Sequence, residues 1–185
     1  ANTLSKPLGI VDQPNAPALV VHKGAIAFEN VTFHYGKGRG VIQDLNLAIR
    51  PGEKVGIVGR SGAGKSTLVN LLLRFFEPEA GRVTIDGQDI RDVTQESLRQ
   101  AIGVVTQDTA LLHRSVGDNL LYGRPNASAE EVARAMRQAS ADQFIAGRND
   151  GRGRACLNAM VGERGVKLSG GQRQRIAIAR AFLKP

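Results

Sequence analysis

The chain has a single cysteine, Cys156, no long hydrophobic run, and no acidic residue after Glu163. One cysteine excludes an internal disulfide framework, and a reducing compartment follows as the default. Cys156 reads as an inert structural or surface thiol. Apolar stretches such as Ala18–Val21 and Ile102–Val105 are far too short to cross a bilayer, and the N-terminus lacks the basic flank and apolar core of a secretory signal. There are no internal repeats. Arg164, Lys167, Arg173, Arg175, Arg180 and Lys184 follow Glu163 with no carboxylate among them. They carry much of the net charge of +8, which otherwise is scattered rather than gathered into a nucleic-acid patch. A chain interrupted before an acidic segment has this appearance.

What remains is an ordinary globular composition, 42% hydrophobic and 23% charged over 185 residues, enough for one domain or one with a subdomain. Pro7, Pro14 and Pro17 with little periodicity make residues 1–24 a linker or extended arm. Strand patterns follow over 26–33 and 41–49, the first closed by a turn at Gly36–Gly40 and the second by Pro51-Gly52. Val55-Gly56-Ile57-Val58 is all apolar and predicts a strand buried on both faces of a sheet. Residues 66–76 predict a helix apolar nearly all round, hence buried, with Pro78 past its end.

Further strands are expected over 81–86, ending in an Asp86-Gly87 turn, and over 103–106, with a short helix over 97–102. Ser128-x-x-Glu131 is a capping box opening a helix through Ala139. Residues 148–154 read as an exposed loop, and 170–183 as a helix with Ile176, Ala179, Phe182 and Leu183 on one side.

Two strings carry chemistry. Gly59, Arg60, Ser61, Gly62, Ala63, Gly64, Lys65, Ser66 and Thr67 match the phosphate-binding pattern G-x-x-x-x-G-K-[ST]. Its glycines let successive amides turn inward around phosphate oxygens, and the following helix adds its positive end. Lys65 is expected to reach the β- and γ-phosphates and Ser66 to coordinate Mg²⁺. Leu168-Ser169-Gly170-Gly171-Gln172 stands about a hundred residues later at a helix start; alone it is a helix cap, or a second anion site.

Paired in this order, the two strings resemble the nucleotide-binding domain of ATP-binding cassette (ABC) proteins. The resemblance covers about residues 25 to 183. It implies an α/β P-loop NTPase fold: a mixed, largely parallel sheet core, an antiparallel β subdomain and a helical subdomain over about 108–168. It also implies that Ser169, Gly170, Gly171 and Gln172 meet the γ-phosphate of ATP held by a second nucleotide-binding domain, so that one chain supplies half of each of two sites. Tyr35, in Phe33-His34-Tyr35-Gly36, resembles the aromatic residue that stacks on adenine; without the family it reads as a strand aromatic in the core. Gln107 resembles the glutamine that bridges Mg²⁺ and the attacking water and senses the membrane part.

Asp118–Gly123 and Val161–Gly165 resemble stretches of exporter-type members, the second a loop that touches the membrane domain of the opposite half. ATP and Mg²⁺ are the implied ligands, the partners a second such domain and a transmembrane domain, and the location the cytoplasmic face of a membrane. The family continues past the signature helix into a strand ending in Asp and Glu, then a switch histidine. His22, His34 and His113 all precede Ser169, so none of those roles maps onto a residue here. Val83-Thr84-Ile85-Asp86 comes in the wrong order to serve. The domain is expected to be C-terminally incomplete, able to bind ATP but poor at hydrolysing it. A soluble ABC ATPase acting on nucleic acid or ribosomes and a separate-chain importer motor are the rival readings.

Overall fold

The computed structural model describes residues 9–36, 41–60, 62, 64–106, 110–147, 149–162 and 165–184. They form two compact units, one through Ala101 and one from Ile102 onward. The first is built on a four-stranded antiparallel sheet of order β2-β1-β3-β4. Its strands are β1 (Ile26–Phe33), β2 (Ile42–Ile49), β3 (Ala80–Ile85) and β4 (Gln88–Asp89), and its helices are α1 (Lys65–Leu72) and α2 (Gln95–Ala101).

In β1 the inward face changes parity. Phe28 is buried, then Val31 and Phe33, because the pairing with β2 shifts register between Phe28 and Val31. Asn30, at φ 51°, sits in that irregularity; an extra residue rotates the following side chains to the opposite face. Phe28, Val31, Phe33, Val83 and Ile85 make the sheet's apolar side, and Leu71 and Leu98 are the fully buried residues of α1 and α2. The Asp86-Gly87 turn joins β3 to β4, as the sequence implies.

The described part of the arm is hydrogen-bonded to the first unit. Thr94 N–H donates to Pro17 O, Leu19 N–H to Ser97 Oγ, and Val20 exchanges two bonds with the Gln88 amide. Asp86 accepts the amides of His22, Lys23, Gly24 and Ala25. Residues 9–25 are thus an extended strap held on the sheet and α2.

Two expected strands do not form. Residues 53–60 and 102–106 have no regular structure. Val55, Ile57 and Val58 are exposed, Val58 at 93%, as are Val104 and Val105. An apolar run becomes a strand only when ladder partners take up its amides and carbonyls, and neither run belongs to the sheet. The expected burial of the 66–76 helix also fails. It ends at Leu72, and Val69, Phe75 and Phe76 are exposed while Leu71 is sealed. Among the described residues only one face of α1 is buried.

The second unit is helical: α3 (Val116–Leu121), α4 (Ala129–Gln138), α5 (Asp142–Ile145) and α6 (Gly170–Phe182), with a 3-10 turn at Cys156–Asn158. Its core gathers Leu120, Val132, Met136, Ile145, Ile176 and Leu183. The Ser128 capping box forms as expected, and an unforeseen second one, Ser115 with Asp118, opens α3. Phe182 departs from its predicted face and is 53% exposed.

Asn119 is completely buried and replaces missing backbone partners. It accepts from Leu112 N–H and Arg180 Nη2 and donates to Leu112 O and Ser115 O. Residues 149–154 are mostly exposed, yet Asp150 is buried and collects the amides of Arg152, Arg154 and Met160 and the Arg154 guanidinium. Those amides, Met160's first, hold its carboxyl far below the usual carboxylate range. Cys156 is exposed, as expected.

Candidate functional site

The glycine-rich segment leads directly into α1. Gly64 is the N-cap at φ 84°, a left-handed conformation that costs a residue with Cβ about 1–2 kcal/mol. A Cβ there would also lie 3.0 Å from Val41 Cγ1 and 3.3 Å from Val41 O. Gly64 therefore turns the chain and lets Val41, the residue before β2, approach. Having no side chain, it leaves the first amides of α1 without a side-chain acceptor. Those amides form a donor cluster at the positive end of the helix.

Lys65 extends over the same loop, its Nζ donating to Gly59 O at 2.6 Å and Arg60 O at 2.7 Å. Ser66 is exposed on the first turn, and Thr67 is buried with its hydroxyl 3.3 Å from Tyr35 Oη. Tyr35, Val41, Gly62, Gly64, Lys65, Ser66 and Thr67 line one cavity of about 420 Å³. Ser61, Ala63 and Gln107 lie outside the described residues.

Tyr35 is 48% exposed rather than packed in the core. Its ring meets Phe33 at 4.9 Å and Phe76 at 5.1 Å, both close to perpendicular. The Tyr35 ring therefore lines the same cavity as the Lys65 ammonium and the start of α1. An ammonium, uncapped amides, a hydroxyl and an aromatic ring suit a ligand with a polyphosphate tail and a planar base. Val41 and Phe76 were not singled out from sequence. Val41 is an aliphatic residue next to a turn and carries no chemical signal, while Phe76 reads from sequence only as the last apolar residue of the expected 66–76 helix.

The second string opens α6 in the other unit. Ser169 Oγ accepts from Gln172 N–H at 3.3 Å and Gln172 Oε1 accepts from Ser169 N–H at 3.0 Å, a complete capping box. The local reading as a helix cap is therefore realised. A hydroxyl that accepts this bond still has its own proton to donate, and Ser169, Gly170 and Gly171 are exposed. Arg173 Nη1 closes back on Leu168 O.

In the Val161–Gly165 stretch, Glu163 and Arg164 lie outside the described residues. On either side of them Gly165 N–H donates to Gly162 O and Val166 N–H to Met160 O. Asp118–Gly123 holds most of α3, where Asp118 caps and Asn119 is the buried hub already described.

A metal fits this chemistry through oxygen. No cluster of His, Cys, Asp and Glu suited to holding an ion occurs among the described residues. The exposed Ser66 hydroxyl beside the loop is a hard ligand of the kind Mg²⁺ takes together with phosphate oxygens and water.

A family model described as "ABC transporter" matches residues 42–185. A Haemophilus influenzae protein described as an uncharacterized ABC transporter ATP-binding protein is 60% identical over 183 residues, covering 99% of this chain and 30% of that protein. An ATM1-type heavy metal exporter of Novosphingobium aromaticivorans is 49% identical over 175 residues, 95% of this chain and 28% of that protein. Among solved structures, a bacterial Atm1-family ABC exporter with ATP bound superposes with a TM-score of 0.84 at 48% identity, over 95% of this chain and 30% of that one. The chain thus spans under a third of the length of these relatives.

Proposed function

Because this chain belongs to the ABC transporter family, we propose that it binds Mg-ATP through its glycine loop and Tyr35. In the complete protein, on this reading, it powers export across a membrane. The observation that carries the reading is the single cavity in which the Tyr35 ring, the Lys65 ammonium and the uncapped start of α1 converge.

Gly59 to Thr67 wrap the β- and γ-phosphates. Lys65 exchanges its two carbonyl partners for phosphate oxygens, and the adenine lies against Tyr35. Ser66 and Gln107 would hold Mg²⁺, which neutralises developing charge on the phosphates when bound. Ser169, Gly170, Gly171 and Gln172 would meet the nucleotide of a second, head-to-tail domain. ATP then acts as the adhesive, and opening of the pair after hydrolysis switches the attached membrane domains.

Residues 1–24 would connect to the membrane part, with 25–185 as the ATP-binding domain and about 108–168 its helical portion. The strapping of residues 9–25 onto the first unit supports a connection that transmits movement. The domain would work at the cytoplasmic face.

Calorimetry with Mg-ATP tests the reading. Saturable binding is expected for the chain and loss of it for Lys65→Ala. Absence of heat from the unsubstituted chain, or an unaltered isotherm for the variant, refutes it.

A further inference from the structure

The Tyr35 ring does not stand alone. Phe33, Tyr35 and Phe76 form a closed trio, with centroids 4.9, 5.1 and 5.6 Å apart, and the two contacts to Tyr35 are edge-to-face. Phe33 is buried in β1, but Phe76 remains 37% exposed. Its place follows from the backbone. α1 ends at Leu72, Arg74 at φ 52° turns the chain, and Glu79 N–H donates to Thr32 O as β3 begins beside β1. The segment after α1 is thereby returned to the end of β1, next to Tyr35. Phe75 goes elsewhere, under the Arg99 guanidinium at 4.7 Å.

Tyr35 itself lies two residues beyond β1, without a ladder to hold it. Its side chain is tethered by Thr67 at the hydroxyl and by two rings. Of these, Phe76 is the half-open one, able to swing if nothing else were required of it.

We propose that Phe76 is a positioning residue for the nucleobase: it holds the Tyr35 ring in the orientation that receives an aromatic base above the phosphate loop. The inference rests on the reading of Tyr35 as the base platform. It assigns to Phe76 a share of base affinity and none of phosphate affinity. Edge-to-face pairs prefer a narrow range of orientations, and losing one frees the partner ring.

The test separates base from phosphate. Binding of Mg-ATP and of magnesium tripolyphosphate, which has no base, is measured by calorimetry on the full chain and on Phe76→Ala, Phe76→Tyr, Phe75→Ala and Tyr35→Ala. Phe76→Ala should weaken ATP about three- to tenfold, the range expected for an aromatic pair, and leave tripolyphosphate unchanged. Retained tripolyphosphate binding also reports a folded loop. Phe76→Tyr should restore ATP affinity, Phe75→Ala should alter neither ligand, and Phe76→Ala should add little on a Tyr35→Ala background.

Equal weakening of both ligands would reduce Phe76 to a structural residue and overturn the proposal. Tighter ATP binding by Phe76→Ala would show that the ring blocks the base, and unchanged ATP binding would show that it is idle; either overturns it. An unsubstituted chain that binds ATP no more tightly than tripolyphosphate would overturn the Tyr35 reading first, and this one with it.

Discussion

The guanidinium of Arg74, 2% exposed, donates to Asp12 Oδ1 at 3.0 Å, joining the N-terminal strap to the end of the phosphate-loop helix. Arg74 reaches Glu77 with Nε and the carbonyls of Val11, Ile90 and Val93 with its terminal nitrogens. Asp12 in turn accepts the backbone and side-chain amides of Gln95 at the start of α2. A buried cation is tolerable only when its donors are taken up in this way.

Removing one partner of that network should cost more than a surface ion pair does. Asp12→Ala is expected to destabilise the chain by about 1–3 kcal/mol, the range for hydrogen bonds to charged groups. Arg74→Lys should also destabilise, since an ammonium cannot reproduce the guanidinium fork. Urea unfolding measures both. A change in Asp12→Ala no larger than for an ordinary surface substitution would mean that the strap is a passenger.

Acid should loosen the strap at its second anchor. The amides of Lys23, Gly24, His22 and Ala25 hold the Asp86 carboxyl far below the usual carboxylate range. A depressed folded-state pKa contributes stability that is fully present above the unfolded value of about 4 and is lost as pH falls below it. The urea midpoint should therefore drop below about pH 4, and part of that drop should vanish in Asp86→Asn. Parallel pH profiles for the two proteins would remove Asp86 from the acid response.

Cys156 stands at φ 53°, in the left-handed region, where a side chain is strained and glycine is not. Cys156→Gly relieves roughly 1–2 kcal/mol of backbone strain and gives back part of it through the greater freedom of unfolded glycine. It also surrenders the weak Sγ–H bond to Ala146 O. A net gain of about 0.5–1 kcal/mol is expected in chemical unfolding. A loss would show that the thiol contact outweighs the strain.

The local signals proved legible where the cause is local. Ser128 with Glu131 forms its capping box because the residues that satisfy each other lie three apart. The Gly59–Thr67 pattern is a local signal of the same kind, as spacing and residue type are its mechanism. Val55–Val58 misled: its apolar pattern states only that the run would be buried given partners on both sides, and no sheet among the described residues takes it in. The all-round apolar 66–76 helix misled likewise, since hydrophobic residues become a core only where another surface meets them. Arg74, Asn119 and Asp150 gave no sign in the sequence, because a polar residue reveals burial only through distant partners.

Residue order alone determined that this chain carries the Gly59–Thr67 glycine-loop pattern followed by a Ser-Gly-Gly-Gln helix start, and so its family, because those features act through adjacent amides and fixed spacing. Tertiary structure decided that Tyr35 faces the loop between two rings, that a proline-bearing arm becomes a fastened strap, and that apolar runs stay outside the sheet. Each depends on groups brought together from dozens of residues apart, and such encounters are set by packing and loop closure rather than by local pattern.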